Sequence, residues 1–468
     1  MRIQAFRLSA IVSIIAIAFP GAALAHGLLR SSSPAAGSVL ASPPTAIRLT
    51  FTEAPELAFT RIRLVGPAGD VPLGPLEILP GMVAAAKIPG MLEQGVYRVE
   101  WRTAGADGHP VKGQFPFTVK LSVDSGAVAG RDSSAAPTAQ SHAEMVGHTA
   151  ASGGERGGKA ADFLAVILRW FTLAGAIVAT GAVAFRLTVL ARVSLEIDRE
   201  IRTDYLPAAA RGAAVVGLIA SGTVAFVAIA RLLLQSRAMH GGSEMWNPRL
   251  IAPMLADTNW GRAWLLQMVA AVAAGVAFAA IRRSRQAAWY VAGAATVALA
   301  IGLALASHAA SVPRLVAPSI VANSIHTVAA SGWLGNLLVV FFVGLPLAWR
   351  LDRADRWTVI RDVVNSFSPA ALGFGGLAGA TGVFLAWTHV GSITALTGTD
   401  YGRVLLLKVG LLSLTALTGA YNWLRVRPTL GDQTGALRLR RTASVELGIA
   451  AAVVAVTAVL VALPMPTD

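Results

Sequence analysis

The sequence predicts two fold classes in one chain: an all-β sandwich or barrel, then an all-α membrane domain of eight transmembrane helices. Three observations carry this. Apolar residues between positions 26 and 120 recur at period two. Beyond residue 160 they run on in stretches of spanning length, and arginines concentrate in alternate loops of that second half.

The first 25 residues have the grammar of an export signal. Arg2 and Arg7 precede an apolar run from Leu8 to Phe19, and Ala23-Leu24-Ala25 supplies the small residues before a cut. Cleavage after Ala25 would make His26 the N-terminus of the mature chain, with a free α-amine beside its imidazole. The sequence contains no cysteine, so disulfide staples and thiolate metal ligands are both excluded.

In residues 26–120, Ile47, Leu49 and Phe51; Ile62 and Leu64; Tyr97, Val99 and Trp101; and Phe115, Phe117 and Val119 alternate as half-buried strands do, with turn residues between them. Residues 121–160 are rich in Ala, Ser and Gly without periodicity and are expected to be a flexible linker. Residues 161–465 hold the membrane domain. Its apolar stretches run over 162–190, 206–235, 260–281, 287–307, 320–348, 367–389, 402–424 and 443–464, each near the roughly 20 residues needed to cross a hydrocarbon core.

Charge orients these spans. The loops after spans one, three, five and seven carry Arg192, Arg199 and Arg202; Arg282, Arg283 and Arg285; Arg350, Arg353, Arg356 and Arg361; and Arg425, Arg427, Arg438, Arg440 and Arg441. The opposite loops carry Arg237, Arg249 and Arg314. The arginine-rich side is therefore expected in the cytoplasm, with the N-terminal domain and the C-terminus in the periplasm. The net charge of +14 is then membrane topology, not a nucleic-acid footprint. No phosphate-binding Gly-Lys-Ser/Thr loop occurs, so neither a nucleotide nor an ATP-driven pump is expected.

In the outer domain Asp107-Gly108-His109 follows the strand around Trp101. Asp-Gly is itself a hairpin turn signal. Together with the amine and imidazole of His26, however, Asp107 and His109 supply three nitrogens and an oxygen, a set that suits the tetragonal preference of Cu(II). With Met82 and Met91 as its only methionines, this domain has too few thioethers for a Cu(I) site.

Several segments resemble known families. RSSSPAAG at Arg30–Gly37, LTFTE at Leu49–Glu53 and GVYRVEWRTAGADGHPVKGQFPF at Gly95–Phe117 are similar to the periplasmic copper-binding CopC family. That resemblance implies an immunoglobulin-like barrel holding Cu(II) through His26, Asp107 and His109, with Glu53 as an additional candidate. Ser307-His308-Ala309, HTVAASGWLGNL at His326–Leu337, the Phe367-Ser368-Pro369-Ala370 opening and TDYGRVLLLKVGLLSLTALTGAYN at Thr399–Asn422 resemble the inner-membrane CopD family. Asn422-Trp423 stands where that family often has Asn-Arg. A fused pair of these domains implies a hand-off of copper ions over a short tether.

In the membrane half, His308, His326 and His389 sit at or near the outer ends of spans four, five and six, and His240 lies in the outer loop after span two with Met239 and Met245. These six residues are candidates for a copper path, His326 foremost because it lies deepest in an apolar helix. His142, Met145 and His148 are linker candidates for a relay. Lys408 is expected to snorkel or pair with a carboxylate, and Glu446 to cap its helix or pair with the arginines before it.

The resulting expectation is a non-enzymatic copper-homeostasis protein of the inner membrane. Its outer domain binds Cu(II), its membrane domain imports copper, and periplasmic copper carriers are its candidate partners besides the lipid bilayer. Two alternatives remain open: an electron-transfer protein or cupric reductase with paired histidines on haem, and a non-transporting copper storage or delivery factor.

Titrating residues 26–120 with Cu(II) should reveal one tight site that disappears when His26 is buried behind an extended N-terminus. Its affinity should fall as pH drops below about 6 to 7, where amine and imidazole hold their protons. Unchanged affinity in the extended form would sink the amine as a ligand.

Overall fold

The computed structural model describes residues 29–52, 54–105, 110–120, 155–307, 315–430, 432–463 and residue 466. The first of these segments build a two-sheet sandwich. One sheet has the order β1 (Leu29–Ser33), β3 (Ala46–Phe51), β7 (Val83–Lys87) and β6 (Leu76–Leu79). The other runs β2 (Val39–Leu40), β9 (Pro110–Val119), β8 (Gly95–Ala104), β4 (Arg61–Gly66) and β5 (Gly69–Val71). All pairings are antiparallel except β2 with β9. The alternating residues of the sequence face one another across the two sheets. Ile47, Leu49, Phe51, Leu64, Tyr97, Val99, Trp101, Phe115, Phe117 and Val119 are all buried in one core. Phe51 meets Trp101 edge-on at 5.2 Å and Tyr97 stacks on Phe117 at 5.4 Å, aromatic geometries that add to simple burial.

Among the described residues the helices that follow include α1 (Glu155–Ala184), α2 (Arg199–His240), α3 (Pro248–Ala256), α4 (Asn259–Arg282), α5 (Ala288–Leu305), α6 (Val316–Val339), α7 (Arg353–Val390), α8 (Ile393–Gly398), α9 (Asp400–Tyr421) and α10 (Gln433–Leu460), with short helical segments Ala191–Glu196 and Leu345–Ala348 continuing α1 and α6. Wide, π-type turns prolong α1 through Phe185–Leu190, α6 through Val340–Gly344 and α9 through Asn422–Val426. Among the described residues, eight helical spans are long and apolar enough to cross a membrane: Phe163–Glu196, Ile201–His240, Asn259–Arg282, Ala288–Leu305, Val316–Ala348, Asp355–Val390, Asp400–Thr429 and Gln433–Leu460. The chain is a multi-pass membrane protein.

Several spans outrun the apolar stretches that predict them, because polar residues extend a helix beyond the hydrocarbon. The second reaches His240, so Met239 and His240 end a helix and do not sit in a loop. α6 starts at Val316, which sets His326 roughly three turns from its start instead of two. Arg262 and Arg403 also lie at the helix ends opposite the arginine-rich loops, each donating to a carbonyl of the preceding segment, Ala256 O and Thr397 O.

Local chemistry sets the helix starts. Asn247 caps α3 by accepting from the Arg249 amide, with Pro248 at the first helical position. Thr258, Thr399 and Asp432 cap α4, α9 and α10. Packing between spans relies on small residues, since lipid offers no hydrophobic drive for helices to associate. α1 and α6 touch at Gly181 and Gly335, where a methyl on Gly335 would collide with the Ile177 carbonyl and come within 2.8 Å of Gly181 Cα. Next to Gly335, Asn336 Nδ2 donates to Thr188 Oγ1 at 3.1 Å, and the Gly344 carbonyl in the wide turn of α6 accepts from the Tyr205 hydroxyl at 3.1 Å.

Gly335→Ala should therefore cost about 1–3 kcal/mol by overpacking and lower the midpoint of thermal unfolding by several degrees. Gly376→Ala, where nothing lies within 4 Å, should leave the midpoint unchanged or raise it slightly. Melting curves of both variants in detergent check the contrast.

Candidate metal centre and membrane cavity

The predicted ligands His26, Glu53, Asp107 and His109 lie outside the described residues, as do His308 and the linker candidates His142, Met145 and His148. The strand ends that lead to the first four are described, and they gather at one end of the sandwich. β1 begins at Leu29 opposite Phe51, so the approach to His26 and the approach to Glu53 share a sheet edge. β8 ends and β9 begins with Ala104 paired to Pro110, flanking Asp107 and His109. The Glu56 amide donates to the Ala104 carbonyl at 3.1 Å and Thr60 and Thr103 share a buried hydroxyl contact of 2.8 Å, tying the segment after β3 to this hairpin. Among the described residues no group of three or more His, Asp or Glu is placed to hold a metal.

This same end of the sandwich is docked on the helices. Phe59 and Ala104 join Met239 of α2, Met254 of α3 and Trp260 and Trp264 of α4 in one buried apolar cluster. Two charged contacts flank it. Glu56 Oε1 accepts from the Asn259 amide at 3.0 Å, at the positive start of α4, and Arg102 Nη1 donates to the Ala238 carbonyl at 3.3 Å, at the negative end of α2. Burial, then the neighbouring Arg61, hold the Arg102 guanidinium below its ordinary value. Leu57, Arg61, Pro253 and Asp257 line a crevice of about 530 Å³ along the seam.

Met239, His240 and Met245 do not converge as the sequence suggests. Met239 is 2% exposed and fills the docking cluster. His240 Nδ1 lies 3.4 Å from the Ser236 hydroxyl, which itself donates to the Met245 carbonyl at 2.8 Å. Met239 is thus committed to packing, and Met245 is engaged through its backbone.

His326 and His389 do come together, on the wall of one cavity of about 550 Å³ lined by α1, α2, α4, α5, α6, α7, α9 and α10. His326 Nδ1 lies 2.9 Å from the Ala378 carbonyl and 3.2 Å from Thr381 Oγ1. A carbonyl only accepts, so Nδ1 carries the proton and the lone pair is left on Nε2, the arrangement that prepares an imidazole to ligate a metal. Gly382 packs against this ring; a methyl there would sit 3.2 Å from Cε1. His389 Nδ1 contacts the Tyr401 hydroxyl at 3.1 Å.

The cavity also holds residues that the sequence reading left out or read otherwise. Arg169 and Arg231, embedded in apolar helices, line it beside Lys408. Lys408 has no carboxylate partner among the described residues, contrary to expectation, because the side chains across the cavity are His, Arg, Gln, Ser and Thr. Glu446 is likewise not paired with arginine. It is 5% exposed and accepts from Asn422 Nδ2 at 3.1 Å, because its helix turns it inward onto α9 and away from the loop.

A β-sandwich seated on a polytopic helical domain by the end where the strands next to the predicted ligands meet, with the His326 imidazole on the wall of a cavity between helices, defines a membrane protein with a docked β-sandwich module. Comparison with known proteins makes this specific. Residues 29–120 match the CopC domain, residues 160–313 the copper resistance protein D-like N-terminal domain, and residues 361–460 copper resistance protein D. The chain belongs to the copper-resistance and copper-transport family in which CopC and CopD domains are fused. It is 28% identical to the copper transport protein CutJ of Bacillus subtilis (strain 168) over 473 residues, covering 98% of this chain and 78% of that protein. It is 35% identical to copper resistance protein C of Escherichia coli over 118 residues, covering 23% of this chain and 90% of that one. The crystal structure of CopC from Methylosinus trichosporium OB3b aligns over 21% of this chain and 98% of its own, with 28% identity and a TM-score of 0.20.

Because the chain lacks cysteine, cysteines introduced at Leu57 and Pro253, across the seam, can be joined by a short bis-maleimide. Combining Glu56→Arg with Arg102→Glu would set like charge against each helix end, worth roughly 0.3–1 kcal/mol per contact and up to about 2 where partly buried. The cross-linked fraction should drop several-fold; an undiminished yield would mean that the apolar cluster alone holds the domains.

Proposed function

We propose that this protein takes up copper across a bacterial inner membrane. The sandwich captures Cu(II) in the periplasm through the amine and imidazole of His26, with Asp107 and His109, and passes copper to the membrane cavity at His326 and His389. It acts by binding and translocation, without covalent chemistry, and receives its cargo from solution or from periplasmic carriers.

The observation that carries this reading is the docking. The strand ends flanking all four predicted ligands meet at the end of the sandwich that packs on α2, α3 and α4, so captured metal is held beside the helical domain and not at the far pole of the sandwich. The lone-pair nitrogen of His326 supplies a borderline donor suited to copper inside the membrane domain. The arginine asymmetry between helix ends supports the inward direction of the cytoplasmic side.

Cells expressing the wild-type chain should accumulate copper above cells lacking it, and His326→Ala should remove about tenfold or more of that excess at equal protein level, since loss of one imidazole ligand typically weakens a metal site by that order. Metal analysis of washed cells is the readout. Equal copper content with and without the protein would overturn uptake in favour of storage or delivery, and a Soret band in the purified protein would favour the haem alternative.

A further inference from the structure

The membrane cavity is far larger than a metal ion, and its charge is of the wrong sign for one. Its volume of about 550 Å³ falls within the roughly 300–1,000 Å³ of small-molecule pockets. Its walls are mainly apolar, with Ile177, Leu334, Val383 and Trp333 among them, while Arg169, Arg231 and Lys408 all contribute and, among the described residues, no aspartate or glutamate does. Cations embedded in a bilayer domain are retained where a counter-charge meets them.

Two of the cations are placed for a ligand. Gln267 Nε2 donates to the Gly302 carbonyl at 2.8 Å, which fixes the amide and turns Oε1 toward Arg231 Nη1 at 3.5 Å. One long contact to a neutral amide orients the guanidinium and leaves most of its donors to the cavity. Lys408 has no hydrogen-bond or ion-pair partner among the described residues, although it lies roughly two turns inside α9. A halide would occupy a small part of this space and leave the apolar walls bare. The shape and the charge are jointly met by a molecule with an acidic head and an apolar body.

We propose that this cavity is a binding site for a small amphipathic carboxylate, whose head group lies between Arg231 and Lys408 and whose body lies along Trp333. The site goes beyond copper handling and does not depend on it.

The test uses the full chain, purified copper-free in a non-ionic maltoside, with 12-bromododecanoate as the probe and 12-bromododecanol as its uncharged match; bromine quenches the fluorescence of a tryptophan beside it. The acid should quench saturably at about tenfold or more lower concentration than the alcohol, the ratio expected when one charge-assisted contact is made. Trp333→Phe should remove the saturable component. Arg231→Gln and Lys408→Gln should move the acid curve onto the alcohol curve, while Lys408→Arg keeps it in place. Equal quenching of the wild type by acid and alcohol would overturn the site by itself, whether or not the variants fold. Unchanged acid binding in folded Lys408→Gln and Arg231→Gln would overturn the assigned head-group contacts. Copper uptake enters neither readout, so loss of this site and loss of the copper path are told apart.

Discussion

The arrangement depends on a pair of charges placed against helix dipoles. Glu56 meets the amide that opens α4 and Arg102 meets a carbonyl that closes α2, so each side chain faces the helix end of opposite partial charge. Exchanging the two, or rotating the sandwich by half a turn, would set like charges together. The apolar cluster around Phe59 and Met254 supplies most of the burial but little direction, because hydrophobic contact is non-directional. The polar pair therefore selects which pole of the sandwich faces the membrane domain, and that pole is where the described strand ends next to the predicted ligands meet.

Inside the bilayer the controlling requirement is different: every backbone polar group must be satisfied without water. Close packing at Gly181 and Gly335 brings α1 and α6 together on the arginine-rich side of their contact. On the side nearer the sandwich the same helices enclose the cavity lined by Arg169, His326 and Trp333. The wide turns of α1, α6 and α9 fall beyond the tight region, toward the arginine-rich ends, and each adjoins a polar contact: Thr188 with Asn336, Tyr205 with Gly344, and Asn422 with Glu446. At two of them a side-chain hydroxyl donates to a carbonyl, Tyr205 to Gly344 O and Thr188 to Ala184 O.

The sandwich was legible because period-two burial leaves an unambiguous trace: the residues that alternate from Ile47 to Phe51 and from Tyr97 to Trp101 are those in its core. The eight spans were legible because length and apolarity are almost sufficient to define them. His326 could be singled out by its depth, but its carbonyl partner Ala378 comes from another helix, and no local pattern announces that. The cationic cavity was missed for a related reason. Arg169 and Arg231 stand in plain view within apolar runs, yet a reading that counts arginine as loop charge passes over them. Lys408 was noticed, but the cavity around it is lined by seven other helices, so only the packing shows that no described residue there is a carboxylate. The docking of the two domains has no sequence signature, since Glu56, Phe59 and Arg102 each look like ordinary surface or turn residues.

The cavity's charge also constrains how copper passes His326. Two unit charges about 8 Å apart in a medium of effective dielectric about 20 interact by about 2 kcal/mol. Arg231 and Lys408 alone, taken as unit charges at that distance, would then oppose a singly charged copper ion by about 4 kcal/mol, roughly three orders of magnitude in affinity. A single imidazole nitrogen does not offset that. A bound carboxylate offsets part of it, because its single negative charge cancels about one unit of that repulsion and leaves the rest. Occupancy of the carboxylate site and of the copper site would therefore be positively coupled, each favouring the other by the same free energy.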